Sequence, residues 1–221
     1  MKKIKLEQYE VRGKHRTYRI LKFPSLPYAW AYWDWDTERY VIDGDHETFQ
    51  HLAHAMAALL AAPDRIIYFP IRKKGMVHYY PQNYDAVLST TTLPFRRSEW
   101  IRLRRQLDAA HQLPGFRLRY EPERLCDQLQ KLEGSNARYY HALRQRRQEV
   151  NVLLGDTVFW ALRKESCCAY HATILDMMEH CDPSLGYGLP VDGLWLNSCI
   201  GWYLPDNAIR EALGEAKEDN P

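Results

Sequence analysis

Residues 38–71 read ERYVIDGDHETFQHLAHAMAALLAAPDRIIYFPI, and the changes of periodicity within them decide the fold class. Glu38 to Ile42 is rich in β-branched and aromatic residues and reads as a strand. Asp45 then stands where a helix N-cap belongs, and Phe49, Leu52, Ala53, Met56, Leu59 and Leu60 recur at helical spacing until Pro63 ends the pattern. Arg65 to Ile71 returns to an unbroken apolar run of strand length. Strand, helix and strand in so short a span predict an α+β protein.

Upstream, Lys3 to Val11, Arg16 to Phe23 and Tyr28 to Trp35 read as further strands, separated by Gly13, Pro24 and Pro27 and closed by Asp36-Thr37. An antiparallel meander is the expected pairing. Downstream, strands are predicted at Met76 to Tyr80 and Tyr84 to Ser89, and a second helix at Ser98 to His111 with Trp100, Ile101 and Leu107 turned inward. Pro114-Gly115 reads as a chain break before a last strand, Phe116 to Tyr120. A strand, strand, helix pattern thus recurs weakly, at 28–62 and at 76–111.

From residue 121 the signals turn helical. Pro122 suits a first helical turn, Gly134-Ser135-Asn136 a linker, and Tyr139, Leu143, Val150 and Leu154 form one helical stripe. A second stripe, Val158, Leu162, Ala169, Ile174 and Met177, follows Gly155-Asp156. Asp182 to Gly193 reads as loop, Leu194 to Leu204 is an apolar run of unassigned state, and a final helix follows Pro205-Asp206. The expected architecture is an antiparallel or mixed sheet with two packed helices in residues 1–120, then a helical part in residues 121–221.

A chain of 221 residues with 46% apolar and 26% charged residues has an ordinary globular composition. The segment Met1 to Glu7 alternates charged and apolar groups, unlike a secretory leader. The longest helix-like apolar stretch, Met56 to Ala62, is far below the roughly 20 residues that cross a bilayer, so no membrane association is expected. Cys126, Cys167, Cys168, Cys181 and Cys199 form an odd set crowded into the second half, which fits reduced thiols and a cytoplasmic location better than a disulfide framework.

Charge is the most informative feature. The formal net charge is +2, yet residues 1–24 hold eight Lys or Arg against two acids, and residues 25–64 hold one Arg against seven acids. Residues 96–147 then carry thirteen bases, twelve of them Arg, against six acids, and residues 175–221 carry two bases against nine acids. Arginine presents a planar fork to phosphate and stacks on bases. Arg96, Arg97, Arg102, Arg104, Arg105, Arg144, Arg146 and Arg147 are therefore the candidate nucleic-acid contacts, with Tyr139, Tyr140 and His141 close in sequence. A basic face neutralised by the acidic block of the same chain is the competing explanation. The acids Asp34, Asp36, Glu38, Asp43, Asp45 and Glu47 beside Trp33 and Trp35 offer a different surface, one suited to a basic protein partner.

Catalytic signatures are weak. Arg105 and His111 match the spacing of an Arg and His pair in metal-independent ribonucleases, a spacing common by chance. Cys167, Cys168, His171, His180 and Cys181 concentrate soft ligands but lack the paired Cys-x2-Cys knuckle, and core packing explains them better. His46, His51 and His54 with their neighbouring acids fit a solvated helix face. Asp206 with Glu215 and Lys217 spells an acid, acid, lysine order in a segment that favours helix, where metal-dependent cleavage needs a strand. No Gly-rich phosphate loop, nucleophile elbow or His-Glu-x-x-His sequence occurs.

The reading is a bacterial-type, non-catalytic accessory protein that acts by binding nucleic acid through an Arg-rich surface, with no cofactor and no metal. A protein-binding inhibitor or immunity-type module and a metal-independent ribonuclease are the alternatives. Oligomeric state is not legible.

Overall fold

The computed structural model of the chain describes residues 2–25, 30–34, 39–71, 84–122, 124, 150–180, 187–191 and 217–218. The fold is mixed α+β. Its strands are β1 (Lys2–Arg12), β2 (Thr17–Lys22), β3 (Trp30–Asp34), β4 (Arg39–Gly44), β5 (Arg65–Phe69), β6 (Asp85–Thr90), β7 (His111–Tyr120), β8 (Val150–Leu154), β9 (Thr157–Leu162), β10 (Tyr187–Val191) and the two-residue β11 (Lys217–Glu218). The helices are α1 (His46–Ala61), α2 (Trp100–Leu107) and α3 (Lys164–His180).

The large sheet has the order β11-β7-β1-β2-β5-β6-β9-β8, and a separate small sheet has the order β10-β4-β3. The first four strands are therefore not one meander. β1 pairs antiparallel with β2 and β3 with β4, but β2 lies parallel to β5, and the β3–β4 hairpin belongs to the second sheet.

α1 forms where its local signals place it. Asp45 is extended and its carboxylate accepts from the Thr48 N–H at 2.9 Å and from the Thr48 hydroxyl at 2.8 Å. The chain leaves at Ala62, just before Pro63. A Cβ on Gly44 would stand 2.5 Å from the Thr48 side chain, so this cap requires glycine there.

Residues 150–162 correct the helical expectation. They form an antiparallel hairpin, β8–β9, that continues the large sheet, so the sheet does not end near Tyr120. Gly155 turns the chain with φ +65°, a conformation glycine adopts without steric cost. β9 lies between β6 and β8, and Thr157 to Trp160 are all buried. A strand covered on both faces shows a continuous apolar run, which periodicity cannot separate from a buried helix. Only the later part of the second predicted stripe, through Ile174, is helical, within α3.

Pro114-Gly115 also differs from expectation, because it lies inside β7. The register passes from Leu6↔Phe116 to Gln8↔Leu113, leaving two residues of β7 opposite Glu7 alone. Such a bulge is where a strand tolerates proline. The predicted strand at Met76 to Tyr80 and the stripe from Tyr139 to Leu143 lie outside the described residues.

A hairpin followed by a helix does occur twice, as β1–β2 with α1 and β8–β9 with α3. Across the sheet, β1-β2-β5 mirrors β8-β9-β6 in order and direction, with β5 and β6 antiparallel at the centre. This is the relation of a twofold axis passing between β5 and β6. Both helices pack side by side on one face, over a core that includes Phe49, Leu52, Met56, Leu59, Ile67, Leu88, Trp160, Cys167 and Ile174. Cys167 and Cys168 are free and buried there.

The opposite face carries a smaller core of Val11, Tyr18, Ile20, Ile66, Tyr68, Val87 and Phe159 under α2. Trp100, Leu103 and Leu107 make up the buried side of α2, whereas Ile101 is 45% exposed rather than inward. One step along a helix turns the side chain by about 100°, which carries residue 101 off the face shared by 100, 103 and 107.

Candidate nucleic-acid interface

β1 changes the face it buries along its length. Ile4, Leu6 and Gln8 are buried beneath the α1 and α3 layer, whereas Val11 is buried beneath α2 and Tyr9 packs at that cluster's margin. Its alternation continues unbroken, so Lys3 and Lys5 stand on the α2 side of the sheet, beyond the end of the strand that α2 covers. Both are exposed.

β7 repeats the pattern. Phe116, Leu118 and Tyr120 are buried and Arg117 and Arg119 are exposed between them. The register sets Lys3 directly opposite Arg119 and Lys5 directly opposite Arg117. Residues paired directly across an antiparallel ladder share a face, with Cα atoms about 5 Å apart, and successive residues on one face are about 7 Å apart along a strand. Four exposed cations therefore fill a block about 5 by 7 Å at the backbone. Lys217 of β11 occupies the position opposite Arg117 on the far side of β7.

The block has a defined end. Glu7, the next residue of β1 on this face, stands opposite Lys22 and accepts a hydrogen bond from the Tyr9 hydroxyl at 2.8 Å. Lys22 Nζ lies 5.9 Å from the centre of the Tyr9 ring. Charge is balanced at that pair and accumulates beyond it.

The structure distributes the predicted arginines among different roles. Arg102 and Arg105 are exposed on the outer side of α2, over the same face of the sheet as the strand cations. Arg96 is exposed and Arg97 half-buried in the turn that leads into α2. Arg104 is held inside the protein. Its guanidinium donates to both oxygens of Asp156 at 2.8 and 2.9 Å and reaches Asp85 at 3.3 Å. Asp85 also accepts from the buried Tyr68 hydroxyl at 2.9 Å. The Asp156 hydrogen bonds hold the Arg104 pKa above its ordinary value, and burial pushes the Tyr68 phenol up, with Asp85 adding to it. This network clamps α2 to the starts of β6 and β9. Arg144, Arg146 and Arg147 lie outside the described residues.

A second polar cluster lies beneath the helices on the other face. His171 of α3 is fully buried, and its Nε2 is 3.0 Å from the Tyr120 hydroxyl. His54 of α1 meets the Tyr120 ring edge-on, and His51 meets His54. Burial pushes the pKa of His171 and of His54 down to about 4. Among the described residues no group of three His, Cys, Asp or Glu side chains is arranged to hold a metal ion. Cys181 lies outside the described residues.

Arg105 and His111 do not share a helix, since α2 ends at Leu107 and His111 opens β7. Asp45 and Glu47 of the acidic cluster serve α1, as N-cap and first-turn acid, and Asp34 stands opposite Arg39 in the small sheet. Trp35, Asp36 and Glu38 lie outside the described residues, as do Asp206 and Glu215. No helix among the described residues is long and apolar enough to cross a membrane.

The four strand cations were not singled out by sequence reasoning. The available signal was two matching tripeptides, Lys3-Ile4-Lys5 and Arg117-Leu118-Arg119, each a basic residue on either side of an apolar one. No family model, curated protein or solved structure matches the chain.

Proposed function

We propose that the chain binds nucleic acid through the α2 side of the large sheet, with Lys3, Lys5, Arg117 and Arg119 as the central contacts and Arg102 and Arg105 of α2 as flanking ones. The observation that carries this reading is the pairing of like charges across the β1–β7 ladder. Like charges directly opposite one another destabilise a sheet, and neutral β-formers would serve the fold better. Protection of a sheet edge does not account for Lys3 and Lys5, because β1 is paired on both sides. A phosphate backbone offers the compensating charge.

Titration of the chain with fluorescently labelled DNA and RNA tests this. Binding is expected in about 50 mM salt and should weaken at least tenfold by about 200 mM, as contacts to phosphate require. Absence of binding at the lower salt overturns the proposal.

A further inference from the structure

Resting on that reading, we infer that the ligand of the β1–β7 block is an unpaired strand, held by consecutive phosphates of one backbone. Three observations lead there. The block is compact, with four positive side chains rooted within about 10 Å of one another. A duplex presents its two backbones across grooves about 6 and 12 Å wide, so a patch this size meets only one of them.

The surface is also the broad face of a sheet. The one helix on that side, α2, lies with Trp100, Leu103 and Leu107 pressed against the strands, so it is embedded rather than raised to enter a groove. A stiff duplex touches such a face along a narrow line, whereas a flexible strand follows it.

Finally, the charge has direction. Glu7 closes the block on the β2 side, whereas Lys217 extends it in register beyond Arg117. A backbone is drawn over Lys5 and Lys3 towards β7 and turned away from β2. Phosphate contacts of this kind carry no base information, so binding should be indifferent to sequence.

The test uses the full chain with a labelled single strand of about ten nucleotides, a hairpin duplex of the same composition, and vesicles containing anionic lipid. The single strand should bind at least about tenfold more tightly than the duplex, and the vesicles not at all. Its log affinity should fall against log salt with a slope near −3, since each phosphate neutralised on a single strand contributes about −0.7. Lys5→Gln and Arg119→Gln should each reduce that slope by about 0.7 and leave the melting temperature unchanged or raised.

Equal or tighter duplex binding overturns the inference while leaving the broader proposal standing. Failure of both nucleic acids to bind overturns both. Vesicle binding without nucleic-acid binding assigns the block to a membrane surface and also overturns both. Wild-type slope in both variants, each folded, overturns the assignment to this block.

Discussion

The two faces of the large sheet are finished differently. On one, α1 and α3 cover the strands, and even the polar groups there, His54, Tyr120 and His171, are packed ring against ring. On the other, α2 covers only part, held by three aliphatic and aromatic contacts and by the Arg104 clamp, and the remaining strand positions are cationic. The first face contributes stability. The second retains charge that stability alone would remove, and such local conflict with the fold is where function is sought.

The largest expected effect belongs to the covered face. His171 is neutral in the fold whichever ring nitrogen carries the proton, and its Nδ1 has no hydrogen-bond partner, so protonation would place a charge in the core. Its folded pKa of about 4 lies below the ordinary 6.5, so the unfolded chain takes up the proton first. Stability is therefore complete above pH 6.5 and falls as pH drops towards 4, by about 3 kcal/mol for this group. His54 acts in the same direction, with His51 and Lys2 opposing its charge. Urea unfolding at pH 7 and near pH 4 measures the loss, and His171→Gln should remove much of the difference. A pH-independent midpoint would place the histidines in water and break the contrast between the faces.

Next in size is the clamp. Arg104→Met leaves Asp85, only 7% exposed, without its cation and should lower stability by about 2 kcal/mol. The affinity of the folded variant for nucleic acid should stay within about twofold of wild type, whereas Arg105→Gln should weaken binding and spare stability. Reversal of these two outcomes would put the binding surface at the clamp rather than on the outer side of α2.

How far the sequence showed this arrangement depends on how local each signal was. α1 was fully legible, because cap, period and stop all lie within residues 45–63. β9 was not, since burial on both faces erased its alternation, and β7 was half-read because a bulge accommodated the proline that seemed to end it. Arginine density pointed to the α2 region, yet the separation of Arg104 from Arg102 and Arg105 depends on Asp156, which no local pattern joins to α2. Lys3-Ile4-Lys5 and Arg117-Leu118-Arg119 were each visible as strand tripeptides. Their meeting is set by a register that brings residue 3 to residue 119, and a one-residue slip would bury all four cations instead.

The smallest effect is the one that separates structure from function most cleanly. Lys5→Thr removes one charge from a like-charged cross-strand pair and installs a better strand former. If Lys5 is there to stabilise the sheet through its alkyl stem, the melting temperature falls. If it is there for phosphate, stability rises by about 0.2–1 kcal/mol while affinity for a single strand drops and its salt slope shallows. Opposite signs in two measurements on one variant are difficult to produce by general disruption, which lowers both. Thermal melting and salt titration of this single substitution therefore show whether the open face is an unfinished half of the covered one or a surface kept charged for a ligand.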